Sequence, residues 1–120
     1  MPMEENKKIR NLIYTDEFNE FYSLLDERVK DKFSDCFLIL RTIYVINKKI
    51  VKKLVTTDRL YELRISIGYN EYRTIIFSAN HENIIQATEL VLLNGFLKKD
   101  TKDYNKQINR AINILKNLEL

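Results

Sequence analysis

The fold is decided by residues 59–99, which read RLYELRISIGYNEYRTIIFSANHENIIQATELVLLNGFLKK. Three apolar runs lie in this stretch, at residues 60–67, 72–77 and 89–93. Side chains of the first run alternate between an apolar set and a polar set: Tyr61, Leu63, Ile65 and Ile67 against Glu62, Arg64 and Ser66. Successive side chains of a strand point to opposite faces, so this alternation predicts a half-buried strand. The other two runs predict further strands of a small sheet.

Four cations lie on these predicted strands or at their ends. Arg64 is in the first strand, Arg73 is in the second, and Lys98 and Lys99 follow the third. Residues 68–71 predict a hairpin connection between the first two strands. Several fixed cations on neighbouring strands suit a phosphodiester ligand, because guanidinium and ammonium groups bind phosphate oxygens through charge-assisted hydrogen bonds.

Helices are predicted on both sides of this stretch. Residues 10–14 predict a short strand, and Thr15 predicts a helix N-cap that is followed by acidic residues. Apolar spacings of three and four then predict two helices, the second ending near Asn47, and a last helix capped at Thr101 or Asp103. The predicted order is β-α-α-β-β-β-α, an α+β fold in which an N-terminal helical hairpin covers one face of a mostly antiparallel sheet. The other face is predicted to remain partly open as a groove.

The composition predicts one folded domain. The chain has 120 residues, of which 45% are apolar, and only 2 glycines and 1 proline. This size suits a single core over residues 1–120, with residues 1–8 expected to be flexible. The lone Cys36 excludes an intramolecular disulfide, and no run is long and apolar enough for a membrane span or a secretion signal. These features predict a cytoplasmic protein.

The distribution of charge is more informative than the net charge of +3. No acidic residue occurs between Cys36 and Thr57, and this segment carries five cations: Arg41, Lys48, Lys49, Lys52 and Lys53. Such a segment predicts contact with a nucleic-acid backbone. The alternative is a solvated basic loop that favours solubility.

Three motifs in order resemble a known family. They are Leu60-Tyr61-Glu62-Leu63-Arg64, then Tyr72-Arg73 at the start of a strand, then Leu92-Leu93-Asn94-Gly95-Phe96-Leu97-Lys98-Lys99. Together they resemble the HigB-like, phage-derived branch of the RelE/ParE toxin superfamily over roughly residues 10–118. Three departures are visible. Relatives often have His in place of Asn94 and a Thr-Pro pair near Asp103-Tyr104, and their connection before the third strand is shorter.

The resemblance implies the toxin of a type II toxin–antitoxin pair. Toxins of this branch cut mRNA, usually on the ribosome, without a metal or another cofactor. The implied partners are mRNA, the ribosome and an antitoxin protein with a helix-turn-helix domain, similar to HigA. Two other functions stay open: a ParE-like toxin that binds DNA gyrase without nuclease activity, and a decayed or regulatory binding module.

Candidate catalytic residues follow from the needs of RNA cleavage, which are proton removal, charge stabilisation and protonation of the leaving oxygen. Arg73 is predicted to hold the phosphate, with a structural ion pair to Glu62 or Glu71 as the alternative. Glu62 is predicted to orient Arg64 or to accept a proton, and a surface salt bridge is the alternative for this pair.

Further candidates follow the third strand. One of Lys98 and Lys99 is predicted to face the groove and to neutralise developing charge. Tyr104 is predicted to stack on a base or to donate a proton, with a core position as the alternative. Predicted RNA contacts also include Asn94, which bonds either a base or a backbone group, Lys102 and Lys106. The only histidine, His81, is predicted to lie away from the groove, and the sequence has no metal-ligand cluster and no glycine-rich phosphate loop.

Overall fold

A computed structural model describes residues 7–55 and 59–118. The helices and strands follow in the order β1 (Asn11–Tyr14), α1 (Asp16–Ser23), α2 (Glu27–Thr42), β2 (Val51–Lys53), β3 (Leu60–Ile67), β4 (Asn70–Ser78), β5 (Glu89–Leu97) and α3 (Thr101–Asn117). Most of the segment predicted to be flexible, residues 1–8, lies outside the described residues.

All five strands form one sheet in the order β1-β5-β4-β3-β2. The β1–β5 pair is parallel, and the other three pairs are antiparallel. A two-residue turn joins β3 to β4, because Ile67 pairs directly with Asn70, and Gly68 has the positive φ of 60° that such a turn requires. The predicted α+β fold with a mostly antiparallel sheet is confirmed.

The two faces of the sheet carry different cores. Helices α1 and α2 cover one face with a cluster of aromatic rings, in which Phe18, Phe33 and Phe37 have centroids 6.0–6.4 Å apart. The opposite face packs against α3 through Ile108, Ala111 and Ile114. Since α3 covers only part of that face, Arg64 beside its start stays partly exposed. The partly open face that the sequence predicts is therefore the face under α3.

The approach of α1 to the sheet depends on Gly95 in the middle of β5. Gly95 pairs with Thr74 on β4, and its missing side chain leaves room for the ring of Phe21. A Cβ atom at this position would overlap Phe21 Cδ2 and Cε2, far inside van der Waals contact. The glycine is thus required by close packing of a helix on a strand.

Several predicted boundaries need correction. The third predicted strand does not end at Leu93 but continues to Leu97, with a register shift opposite Ile75 and Ile76. Strand β2 was not predicted, because three residues with two exposed lysines carry little hydrophobic pattern. The helix cap before α3 is neither Thr101 nor Asp103 but Asp100, whose side chain accepts a hydrogen bond from the Asp103 amide.

The helical hairpin also differs in one boundary. Helix α2 ends at Thr42, several residues before the predicted end near Asn47. The predicted cap at Thr15 is confirmed, because its hydroxyl accepts a hydrogen bond from the Phe18 amide. Asp26 caps α2 in the same way, so α1 and α2 are two separate helices.

A buried arginine fastens three segments together at the start of β1. Arg10 is 1% exposed, and its guanidinium donates to five backbone carbonyls. Three of them, of Leu40, Ile43 and Tyr44, belong to the end of α2 and the segment after it, at distances of 2.6–2.9 Å. The other two belong to residues 84 and 85, before β5, at 3.2 and 3.0 Å. Backbone groups that no regular element pairs are therefore satisfied by one side chain.

We expect Gly95→Ala to destabilise the protein by about 1–3 kcal/mol, because the added methyl group overlaps the Phe21 ring. The double variant Phe21→Ala/Gly95→Ala should be less destabilised than the sum of the two single variants, since the collision is gone. Urea unfolding of the four proteins measures this coupling. Additive effects would show that the glycine is not needed for this contact.

We expect Arg10→Ala to cost more than about 3 kcal/mol, because five carbonyls lose their donor in a buried place. Arg59→Ala is the matched control, since exposed Arg59 donates to one carbonyl among the described residues, that of Ala79. Thermal and urea unfolding compare the two variants. Equal, small losses for both would contradict the structural role of Arg10.

Candidate active site

Register places two arginines directly opposite each other under α3. Arg64 of β3 is the cross-strand partner of Arg73 of β4. Like charges at such positions repel, so the pair needs a counter-charge. Glu62 supplies it, because it lies two residues before Arg64 on the same face of β3 and is 1% exposed.

The Glu62 carboxylate is held by three side chains. Its Oε1 atom accepts a hydrogen bond from Arg64 Nε at 2.9 Å and lies 3.6 Å from Arg73 Nε. Its Oε2 atom accepts a short hydrogen bond from the Tyr104 hydroxyl of α3. Both carboxylate oxygens therefore have protein partners, and strands β3 and β4 are tied to α3 through one buried anion. The salt bridge that was the alternative for the Glu62–Arg64 pair is present, but Glu62 is buried and not at the surface.

Arg73 lies behind this carboxylate, away from solvent. Its side chain is 7% exposed, and Nη1 bonds the Glu71 carboxylate at 3.2 Å and the Tyr72 carbonyl at 3.0 Å. The ion pairs with Glu62 and Glu71 that were the alternative interpretation of Arg73 are both present. Ser66 and Arg73 bond the Glu71 carboxylate and lower its pKa. The direct phosphate contact predicted for Arg73 stays a prediction.

Arg64 faces a pocket of about 450 Å³ that opens beside the start of α3. Its side chain is 34% exposed, and only Nε bonds protein among the described residues, which leaves its terminal nitrogens available. The pocket is lined by Glu62, Arg64, Lys98, Lys99, Asp100, Thr101 and Tyr104. Both lysines line it, and which of their side chains faces the groove stays a prediction. Strand alternation ends at Leu97 and does not apply to them.

Tyr104 joins the pocket to the core. Its ring packs edge-on against Phe96, with centroids 6.1 Å apart, and Lys98 Nζ lies 5.9 Å from the same ring. Burial, followed by the hydrogen bond to Glu62, raises the pKa of the Tyr104 phenol far above its ordinary value. The sequence left open whether Tyr104 belongs to the core or to the groove. Its side chain does both, because the ring packs against the core and the residue also lines the pocket.

Other predicted residues lie elsewhere. Asn94 is 1% exposed, and its side-chain amide donates to the backbone carbonyl of Gln107. Of the two partners predicted for Asn94, a base or a backbone group, the structure therefore has the backbone group. Lys102 and Lys106 are exposed on α3, near the pocket but outside its lining. His81 is exposed in the loop before β5, away from the pocket as predicted. The basic segment that contains Lys48, Lys49, Lys52 and Lys53 lies at the β2 edge of the sheet and does not line this pocket.

Two pocket residues were not predicted, namely Asp100 and Thr101. They line the site because the chain turns sharply from β5 into α3, and Asp100 is the N-cap of that helix. An Asp-Thr pair between a strand and an amphipathic helix was the signal that marked them. The sequence could also have predicted that Arg64 pairs directly with Arg73. A two-residue turn at Gly68-Tyr69 fixes the register of the whole β3–β4 hairpin.

Residues 7–55 and 59–118 contain no group of three His, Cys, Asp or Glu side chains that could hold a metal ion. Within the same ranges, no helix is long and apolar enough to cross a membrane. Cys36 is buried, and this burial raises the pKa of its thiol.

The family model of the phage-derived Gp49-like proteins matches residues 20–116. This match covers most of the chain, including all of the pocket, so the protein belongs to the phage-derived Gp49-like family. The family is associated with RelE-like toxins, and membership is compatible with the toxin of a toxin–antitoxin pair. Comparisons with curated proteins and with solved structures gave no match.

We expect the Tyr104 phenol to remain protonated at about pH 11, one unit above the ordinary tyrosine pKa of about 10. Tyr104→Phe should therefore leave the phenolate absorbance of the folded protein at that pH unchanged. Tyr69→Phe is the control, because Tyr69 is fully exposed and its removal should lower the phenolate absorbance by one tyrosine. Circular dichroism at the same pH verifies that each protein is folded.

The same shift has a consequence for stability. The folded-state pKa is raised, so proton binding at Tyr104 stabilises the native state below about pH 10, and this contribution is lost as the pH rises further. The parent should lose unfolding free energy between pH values of about 10 and 11 more steeply than Tyr104→Phe does. Parallel curves would contradict the hydrogen bond to Glu62.

Proposed function

We propose that this protein is the toxin of a type II toxin–antitoxin pair, of the HigB-like branch of the RelE/ParE superfamily, and that it cleaves mRNA in the cytoplasm. Membership of the Gp49-like family supports the toxin class. The observation that carries the nuclease function is the pocket in which Arg64, Lys98 and Lys99 surround one opening beside the buried Glu62. Such a concentration of cations fits a phosphodiester and the extra negative charge of its transition state.

The reaction proposed for this pocket is attack of a ribose 2′-oxygen on the adjacent phosphorus. The new O2′–P bond forms as the P–O5′ bond breaks, the 2′-hydroxyl loses its proton, and the departing 5′-oxygen gains one. The products are a cyclic phosphate and a 5′-hydroxyl end. Negative charge builds up on the non-bridging oxygens, so protein cations close to them lower the barrier. Three cations supply positive charge from the protein itself.

Arg64 is assigned the phosphate contact. Its terminal nitrogens are available, and Glu62 fixes the guanidinium through Nε without using them. A planar guanidinium held in this way can bond two non-bridging oxygens at once. Lys98 and Lys99 line the same pocket and supply further charge.

Glu62, Arg73 and Tyr104 are assigned positioning roles. Arg73 counter-balances Glu62 from the buried side, and Tyr104 ties the carboxylate to α3. With both oxygens bonded, Glu62 is better placed to orient Arg64 than to accept a proton. Tyr104 holds its proton tightly, which suits a hydrogen-bond donor to Glu62 more than an acid in the reaction.

The proposed partners are mRNA on the ribosome and an antitoxin protein with a helix-turn-helix domain, similar to HigA. Lys102 and Lys106 lie exposed on α3 beside the pocket, where they can contact the RNA backbone on either side of the cleaved bond. These contacts are less specific than that of Arg64, because each lysine presents a mobile point charge.

Inducible expression in bacteria, with mapping of transcript 5′ ends during translation arrest, tests this function. The parent should create new 5′ ends within coding sequences, and Arg64→Ala should reduce them by about 10²–10³-fold, the usual effect of losing one group that stabilises transition-state charge. Arg110→Ala is the matched control, since exposed Arg110 on α3 does not line the pocket. The control should cleave like the parent.

Other outcomes favour the other functions. Growth arrest with DNA-damage signalling and intact transcripts would contradict the nuclease and favour a toxin that binds DNA gyrase. Absence of arrest from folded parent protein would favour a decayed or regulatory binding module. If Arg64→Ala cleaved transcripts as well as the parent does, the protein would still be a nuclease, but its active site would lie elsewhere.

A further inference from the structure

A second pocket, of about 600 Å³, lies at the β2 edge of the sheet. We call it the edge pocket. Five aliphatic side chains line it: Val45, Ile46, Val51, Ile84 and Ile85. It shares no lining residue with the pocket beside Glu62. The proposed nuclease function therefore leaves this surface unexplained, and a role for the edge pocket does not depend on that function.

The walls of the edge pocket are held in place from within the protein. Arg10 bonds the carbonyls of Ile43 and Tyr44, directly before one wall, and those of Ile84 and Ile85, which form the other. The Tyr61 hydroxyl at the base also accepts a hydrogen bond from the Ile84 amide at 3.2 Å. A pocket with such fixed walls loses little conformational entropy when a ligand binds.

Exposed apolar side chains extend the pocket outward. Tyr44 is 57% exposed and Val45 is 65% exposed, and both follow the end of α2. Val45 itself lines the pocket and Tyr44 precedes it, so the apolar lining continues onto two exposed side chains, which we call the apolar strip. Exposed apolar side chains that adjoin a pocket mark interaction sites more often than single exposed residues do.

The charged side chains that line the edge pocket are all positive. Lys48 and Lys53 line it and are exposed, and no acidic side chain of the described residues lines it. Neither of these lysines forms an ion pair with another described residue. An occupant that supplies carboxylates around an apolar anchor would complement both features at once.

We propose that the edge pocket binds an acidic, amphipathic segment of a protein partner, with aliphatic side chains in the pocket and carboxylates on the lysines. Nucleic acid fits less well, because bases bind by stacking on exposed aromatic or guanidinium planes. Aliphatic side chains form the walls, and the one aromatic side chain among the described lining residues, Tyr61, is only 7% exposed. The exposed ring of Tyr44 lies beside the pocket and offers one stacking plane, but it is not part of the lining. The sequence predicted that this basic segment contacts nucleic acid, whereas the present proposal has it contact a protein.

Amide chemical shifts of the full-length protein test this proposal. The probe is a synthetic peptide in which leucine alternates with glutamate. Matched peptides carry lysine in place of every glutamate or serine in place of every leucine, and a uridine oligonucleotide represents RNA. The leucine–glutamate peptide should shift the amides of Val51, Ile84 and Ile85 saturably, and the two matched peptides should not.

Variants on the pocket rim sharpen the test. Val45→Asp should weaken binding of the leucine–glutamate peptide at least about tenfold, because it places a charge in the apolar strip. Val45 is exposed, so this variant should fold. Leu38→Asp is the control, since Leu38 is a similarly exposed aliphatic residue on α2 outside the pocket, and it should bind like the parent. Lys48→Glu/Lys53→Glu should also weaken binding about tenfold or more.

Four results would overturn the proposal. Absence of localised shifts would show that the pocket does not take such a segment. Equal binding of the lysine peptide would remove the role of charge. Stronger shifts of the same amides by the oligonucleotide would make this a nucleic-acid surface. Shifts that depend on protein concentration alone would identify a second copy of this chain as the occupant.

Discussion

The buried carboxylate of Glu62 is the constraint on which the candidate active site depends. Two arginines face each other across β3 and β4, and their repulsion is relieved because one carboxylate oxygen lies against both. The other oxygen accepts the Tyr104 hydroxyl and so fixes the start of α3 over the sheet. Removing a single partner would leave a buried charge without compensation, which costs more than a surface pair contributes. Charge balance in the interior thus determines the shape of the pocket outside.

Strand β3 separates two surfaces by simple alternation. Tyr61 points to the face covered by α1 and α2 and lies in the lining of the edge pocket, whereas its neighbour Glu62 points to the α3 face and lines the candidate active site. The two pockets are therefore on opposite faces of one thin sheet and share a strand but no side chain. The RNA and the protein segment proposed for these two pockets would therefore not compete directly for the same groups.

Much of the fold was predictable because the central strands and helices carry strong hydrophobic periods. Strand β3 has the predicted bounds, and the cap at Thr15 and the turn at Gly68 follow from local chemistry. Strand β2 escaped prediction because pairing with β3, not its own sequence, makes it a strand. The extension of β5 past Gly95 depends on pairing with β4 and on contact with α1, neither of which a local pattern contains.

The candidate site was predictable in part for the same reason. Alternation put Glu62 and Arg64 on one face, and the family resemblance drew attention to Tyr104 and the two lysines. Burial of Arg73 behind Glu62 could not be predicted, because it depends on how far α3 extends over the sheet. Arg10 gave no signal at all, since an arginine before a short strand looks ordinary until its five carbonyl partners converge on it.

The parallel pairing of β1 with β5 has a consequence for synthesis of the chain on the ribosome. Asn11 of β1 pairs with Glu89 of β5. Strand β1 therefore cannot pair until β2, β3, β4 and β5 have been synthesised. Tyr104 is made later still, and without it Glu62 lacks the contact that ties it to α3. A nascent or prematurely terminated chain that stops after β4 would carry both arginines but no assembled pocket. Vectorial synthesis would in this way keep the proposed nuclease pocket incomplete until the chain is long enough to fold.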